Sequence, residues 1–455
     1  MSTLRRLTFA TTLIAATLAF GPARAETLRD ALTSAYNTSG LLDQNRALLR
    51  AADEDVAQSV AALRPVLNWS MSATRTGVNA PVRGAVTSRN AQLSASMTIY
   101  DGGANRLAVE AQKENVLGTR QALRGVEQDV LLRGVRAYMN LRSASEFVAL
   151  RRNNVRLITE EFRAAGDRFE VGEVTRTDVS LAEARLAAAR SLLAAAEGDL
   201  AIAAAEYAAA IGRDATRPET VSPAPVSRSL DEARAFAVRN HPSILEAQHA
   251  VTTAELNIRR AEVALRPSVS LNGSISTDQD SNETGQIGIS IGGPIYTGGR
   301  ISSQVRQAQA GRDAARSGLH LAMQGIEQEV SNAYALLLVA RASREASDQQ
   351  IQAAQIAFDG VREEATLGSR TTLDVLNAEQ ELLDARANRI AAQADEVVAS
   401  YTLLAAMGLL TAEHLQLPVQ QYDPSAYYNL AKNAPAYNSE QGEALDRVLE
   451  ALGRE

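Results

Sequence analysis

The 455-residue sequence contains no cysteine, and only 4% of its residues are aromatic. The lack of cysteine excludes disulfides, thiolate metal sites, cysteine nucleophiles and a lipid anchor on an N-terminal cysteine. Few aromatic residues and abundant alanine favour thin, closely approaching helices over one thick core. The formal net charge of −7 provides no basic face, so nucleic-acid binding is not expected.

Long hydrophobic runs are also missing, because no segment after the N-terminus has 18 uninterrupted apolar residues. The sequence therefore predicts no transmembrane helix. The N-terminus itself has Arg5 and Arg6, an apolar stretch over residues 7–20 and an A-x-A site at residues 23–25. This pattern predicts a signal peptide over residues 1–25. The alternative is a single membrane anchor, but about 14 apolar residues fall short of the roughly 20 that a bilayer requires.

The sequence offers no enzyme motif. None of its four histidines lies at a spacing typical of metal ligands from another histidine or from a carboxylate. They are His241, His249, His320 and His414. The glycine pairs at 102–103 and 298–299 lack the Gly-Lys-Ser/Thr of a phosphate-binding loop, and we interpret them as strand-to-helix turns. We predict a protein that is not an enzyme and that needs no metal or cofactor.

The chain contains two copies of one sequence repeat. Leu63-Arg64-Pro65 recurs as Leu265-Arg266-Pro267, and Tyr100-Asp101-Gly102-Gly103 recurs as Tyr296-Thr297-Gly298-Gly299. Further matches in the same order pair Ala137-Tyr138 with Ala333-Tyr334, Gly172 with Gly368, and Asp178-Val179 with Asp374-Val375. Matching positions of the two copies are 202 residues apart up to the Arg-Pro motif and 196 apart from the Tyr-x-Gly-Gly motif onwards. The first copy is therefore expected to have a hairpin six residues longer.

Proline and hydrophobic periodicity divide each unit into helices and a hairpin. Proline is absent between Pro81 and Pro218 and between Pro294 and Pro418, where apolar residues recur at helical spacing. We predict long helices at about 101–165 and 297–362, and shorter ones at 27–63, 176–211, 229–264 and 372–409. Apolar and small polar residues alternate at 66–100 and 268–296, which predicts two β-hairpins. The predicted domains are a signal peptide (1–25), a first repeat with its linker (26–228), a second repeat (229–410) and a C-terminal periplasmic tail (411–455).

The four strands have one apolar and one small polar face, and they match outer-membrane strands in length and pattern. A soluble sandwich is the alternative, but no helix is free to cover the apolar face. Four strands cannot close a barrel, since the smallest membrane barrels have eight and an open edge in lipid leaves backbone groups unpaired. Two chains would give a filled barrel, whereas three would give twelve strands and a channel.

We therefore predict a trimer that combines a transmembrane β-barrel with an α-helical tunnel. The barrel is expected in the outer membrane, and the helices extend from it into the periplasm. A rival interpretation is a secreted or periplasmic coiled-coil scaffold or adhesin, with the hairpins as small soluble caps.

These features together resemble the TolC family of outer-membrane efflux and secretion channels. The resemblance rests on the duplicated unit, the Arg-Pro before each hairpin, the Tyr-x-Gly-Gly turns, and Val171-Gly172 and Leu367-Gly368, and it extends to about residue 410. It implies a homotrimeric exit duct of a tripartite efflux or type I secretion system. Its implied partners are a periplasmic adaptor, facing the helix turns at Gly172 and Gly368, and an inner-membrane RND pump or ABC transporter. The outer-membrane lipid surrounds the barrel.

The resemblance also implies a periplasmic gate. Segment 367–377 is similar to the family segment that narrows the tunnel, which places Asp374 in a ring of acids. Asn377 stands where the family prototype has a second acidic ring. The constriction should therefore be less acidic, while three Asp374 carboxylates near an axis would still favour cations.

Polar links that hold this gate shut are implied as well. By resemblance Arg370 belongs to a link, and Thr177 and Asp178 match the positions that receive it. Ala365 replaces a linking tyrosine of the prototype, so the gate should be less tightly latched. Considered without the resemblance, Asp178 and Asp374 could equally be acids that support the dipole at a helix N-terminus.

Overall fold

The computed structural model describes residues 26–77, 86–215, 217–226 and 228–452. The predicted signal peptide lies outside the described residues. Four strands form one sheet: β1 (Val66–Thr76), β2 (Val86–Tyr100), β3 (Ser268–Asp278) and β4 (Glu283–Gly292). Among the described helices, none has the length and apolar character to span a membrane.

The rest of the described chain is mainly helical, as predicted. The helices are α1 (Leu28–Thr38), α2 (Gly40–Ala61), α3 (Ala104–Glu170), α4 (Arg176–Ile211), α5 (Leu230–Asn240), α6 (Pro242–Val263), α7 (Arg300–Thr366), α8 (Thr372–Ala406), α9 (Pro424–Ala431) and α10 (Glu440–Leu452). The duplication is visible in their lengths: α1 and α5 have 11 residues, α2 and α6 have 22, and α3 and α7 have 67. A helix of the last length extends about 100 Å.

The prediction of single helices at 27–63 and 229–264 was wrong, because each segment contains two helices. Ser39 has an extended backbone, and its side chain caps α2 by accepting a hydrogen bond from the backbone N–H of Leu42. His241 caps α6 in the same way, and Pro242 occupies the first turn of that helix. Proline fits there because its missing N–H would have no partner within the helix. Each break consists of one non-helical residue. The apolar residues on either side therefore keep nearly the same helical period, and the sequence pattern resembles that of one helix.

The sheet has the strand order β1-β2-β3-β4 with antiparallel neighbours, so the pairing of β2 with β3 joins the two repeats. Apolar residues lie opposite one another, for example Trp69 and Leu93 in β1 and β2, or Leu271 and Ile289 in β3 and β4. They form one continuous face on which Trp69 is 79% and Ile289 is 65% exposed. An exposed apolar face of this kind indicates contact with lipid or with another protein.

Alanine allows the helices to pack closely around a shared core. α3 packs against α4 and α7 against α8, while α6 contacts both long helices and α8 also contacts α3. Tyr138 of α3 is fully buried in this core. Its hydroxyl lies 2.7 Å from the carbonyl oxygen of Glu26 and 3.0 Å from that of Glu219. This contact fixes the linker between the repeats to the first long helix.

The C-terminal tail packs against α2 and α3. Arg64 donates to the carbonyl of Ala434 at 2.6 Å, and Arg120 donates to that of Pro424 at 3.2 Å. Arg46 stacks over Tyr422, with its guanidinium carbon 5.4 Å from the ring centre. Arg64 lies two residues before β1, and Arg120 lies 16 residues into α3, so the tail extends along the helices from beside the sheet to about 25 Å from it.

Candidate functional site at the helix turns

Two short turns, at 171–175 and 367–371, connect each long helix to the shorter one that follows. They lie at the ends of α3 and α7 that are opposite the sheet, on the order of 100 Å from it. Gly172 and Gly368 have left-handed backbones, with φ of 81° and 79°, where a side chain would cause strain. The preceding residues Val171 and Leu367 are 71% and 78% exposed. Both turns therefore present an apolar tip on a fixed backbone.

Asp178 and Asp374 occupy equivalent places after these turns. Oδ2 of Asp374 accepts the N–H of Thr371 at 3.0 Å and its hydroxyl at 2.8 Å. Oδ2 of Asp178 makes the same two contacts with Thr175, at 2.9 Å and 2.7 Å. These hydrogen bonds hold the pKa of both carboxyls below the usual value, so both are ionised at neutral pH. Each acid thus completes a capping box with the N-cap threonine of its helix, and each also places a charge at the end of the molecule.

Arg370 forms an ion pair within its own turn. Its Nε donates to Oε2 of Glu364 at 2.8 Å, and this bond, the charge of Glu364 and that of Asp374 raise the pKa of Arg370. Within the described protomer Arg370 does not bond to Thr177 or Asp178, so the gate link remains a prediction. The first turn has no equivalent ion pair in the described chain, because Val174 stands in the place of Arg370.

Two contacts between the repeats were not predicted from the sequence. Arg185 of α4 donates to Oδ1 of Asn377 on α8 at 3.3 Å. Asn154 of α3 donates to Oε1 of Glu379 on α8 at 3.2 Å. They join α8, which carries the predicted constriction residues, to α4 and α3 of the first repeat.

A pattern in the sequence could have revealed Glu379. Four buried apolar residues lie three or four positions away from it on α8: Val375, Leu376, Leu382 and Leu383. A carboxylate at such a position lies on the buried stripe of an amphipathic helix. Pairing with Asn154, more than 200 residues earlier, has no local signal.

A family model described as "Outer membrane efflux protein" matches residues 32–213 and 236–409, which correspond to the two repeats. The chain belongs to this family. The family consists of outer-membrane channels rather than enzymes, which decides against the scaffold or adhesin interpretation.

Individual relatives agree with this family membership. The outer membrane efflux protein BepC of Brucella suis biovar 1 (strain 1330) is 37% identical over 441 residues, covering 94% of this chain and 96% of BepC. The outer membrane protein TolC of Escherichia coli K12 is 25% identical over 315 residues, covering 64% of this chain and 63% of TolC. The solved structure of the Campylobacter jejuni CmeC outer membrane channel has a TM-score of 0.75 at 18% identity, covering 90% of each chain.

The protein is therefore an outer-membrane channel for efflux or secretion, with a TolC-like fold and a periplasmic helical tunnel.

Proposed function

We propose that three copies of this chain assemble into the exit duct of a tripartite efflux or type I secretion system. The observation that carries this proposal is the open sheet with its exposed apolar face. Its outer strands, β1 and β4, have 11 and 10 residues and pair on only one side within the described chain. Unpaired strand edges in lipid cost several kcal/mol per backbone group, so β4 of one copy pairs with β1 of the next. Three copies give twelve strands and an open interior.

Disulfide cross-linking tests this assembly without interference, because the chain has no cysteine of its own. A variant with Ser70→Cys in β1 and Ser290→Cys in β4, together with register-shifted neighbours, should give a cross-linked ladder that ends at the trimer. The control is Ser94→Cys with Ser274→Cys, two positions that face each other within one protomer and should yield no ladder. A ladder that ends at the dimer, or continues past the trimer, would contradict the proposal.

The proposed gate lies at the helix turns, where Asp374 of three copies converges on the axis and Asn377 follows one helical turn later. Support comes from the ionised state of Asp374 and from Arg185, which holds Asn377 against the first repeat. Arg370 acts as a latch that binds Thr177 or Asp178 in the assembled, closed channel. A ring of carboxylates at a narrow point attracts cations and repels anions.

The latch can be separated from the local ion pair by two substitutions. Arg370→Ser is expected to raise conductance in planar bilayers and to make cells more permeable to large antibiotics, since it removes the latch. Glu364→Gln removes the ion pair within the turn but leaves Arg370 free to bind across the gate, so conductance should hardly change. The ion pair is half-exposed and screened by solvent, so its loss should leave the fold of the turn intact. Equal effects of both substitutions would show that Arg370 acts only within its own turn.

The apolar tips of the two turns form the proposed docking surface for a periplasmic adaptor. Val171 and Leu367 project there beside Gly172 and Gly368. The adaptor would connect the duct to an inner-membrane RND pump or ABC transporter. Docking at this place would act on the gate directly, because Thr177, Asp178 and Asp374 lie in the first turn of the helix that follows each tip.

A further inference from the structure

Glu379 is a carboxylate buried between α8 and α3. It is 5% exposed and its partner Asn154 is 4% exposed, with 3.2 Å between Oε1 and Nδ2. The stripe of α8 on which Glu379 lies is otherwise apolar near it. Burying an ionised carboxylate with one neutral hydrogen-bond donor is costly, whereas a protonated carboxyl fits such a place.

The charged groups that face Glu379 from the neighbouring helices act in opposite directions. Burial raises the pKa of Glu379 to about 7, the hydrogen bond from Asn154 lowers it, Glu161 of α3 raises it and Arg362 of α7 lowers it. Asp374, five residues earlier on the same helix, has a lowered pKa and keeps its charge. Asp374 and Glu379 therefore respond differently to pH near neutrality.

We propose that Glu379 is a positioning residue that holds α8 against α3 while protonated and releases it on ionising, so that a proton controls the gate. Glu379 follows Asp374 by roughly 8 Å along α8, so a shift of α8 at this contact moves the constriction residues with it. The inference rests on the proposed gate at Asp374 and adds its regulation.

The direction of the pH effect follows from the raised pKa. The proton binds more tightly when Glu379 is buried than when it is in water, where the usual value is 4.5. Protonation therefore stabilises the packed arrangement in acid, and this stabilisation is lost as the pH rises through about 7. If release exposes Glu379 to water, the ratio of released to packed α8 rises about tenfold per protomer between pH 6 and 8.

Labelling of a single introduced cysteine tests the movement of α8 directly. Leu383→Cys lies one turn beyond Glu379 on the buried face of α8. Its rate of reaction with a maleimide is measured in the assembled full-length channel, with Glu379 intact and with Glu379→Gln, which keeps an oxygen for Asn154. Both proteins carry the same cysteine, so dividing the rate with Glu379 intact by the rate with Glu379→Gln removes the pH dependence of the thiol itself. We expect this ratio to rise severalfold from pH 6 to pH 8, and a ratio independent of pH would overturn the proposal.

Conductance in planar bilayers then links this movement to the gate. The channel should conduct more at pH 8 than at pH 6, and Glu379→Gln should abolish the difference. Glu381→Gln changes an exposed glutamate of the same helix and should preserve the difference, which shows that loss of a carboxylate elsewhere on α8 is not sufficient. A pH response that persists in Glu379→Gln would overturn proton control of the gate by this residue. Labelling that follows the expected course without any change in conductance would instead locate the failure in the proposed gate.

Discussion

Replacing Leu271 or Ile289 with arginine is expected to reduce outer-membrane insertion by roughly 2–4 kcal/mol per site near the membrane midplane. The two residues lie opposite each other in β3 and β4, and Leu271 also lies opposite Met97 of β2. They thus lie on the apolar face of the sheet. An arginine there would have to carry its charge into lipid.

Ser270→Arg is the matched control, because it places the same charge on the next residue of the same strand. Ser270 lies opposite Thr98 and Ser290, so its side chain belongs to the polar face. An arginine on that face would point into the water-filled lumen and should be tolerated. The measurement is the yield of folded trimer in the outer-membrane fraction relative to total protein. An equal loss for both faces would show that the sheet does not lie in a membrane.

The faces of the sheet could be predicted because a strand alternates its side chains with a period of two. The pattern that places Leu67, Trp69 and Met71 together needs no knowledge of distant residues. By contrast, the helix breaks at Ser39 and His241 were missed. A break of one capping residue leaves the apolar stripe nearly continuous, so the only local signals were the caps themselves and Pro242.

At the helix turns, too, features set by neighbouring residues could be predicted from the sequence, whereas contacts between distant residues could not. The duplicated sequence predicted Gly172 and Gly368 at turns, and the left-handed backbone at both positions explains why glycine recurs there. The contact of Asn154 with Glu379 joins residues 225 positions apart. Such pairing depends on how complete helices pack, and no spacing within one helix encodes it.

Asp374→Asn is expected to reduce the cation preference of the channel, whereas Asp178→Asn is expected to leave it nearly unchanged. The two acids make equivalent capping contacts, with corresponding distances that differ by only 0.1 Å. Loss of either carboxylate charge should therefore weaken the capping box of its helix to a similar extent. The comparison cancels this local effect, and what remains is the distance of each carboxylate from the channel axis.

The size of the remaining effect follows from Coulomb's law. In the proposed trimer, three carboxylates about 10 Å from an ion in water would raise the local cation concentration by up to about tenfold. Reversal potentials in a potassium chloride gradient, and block by multivalent cations, measure this change in planar bilayers. Because Asp178 is proposed to receive the Arg370 latch, its substitution should raise conductance without altering selectivity. If the two substitutions shift the reversal potential equally, the acids serve only as helix caps and the constriction lies elsewhere in the tunnel.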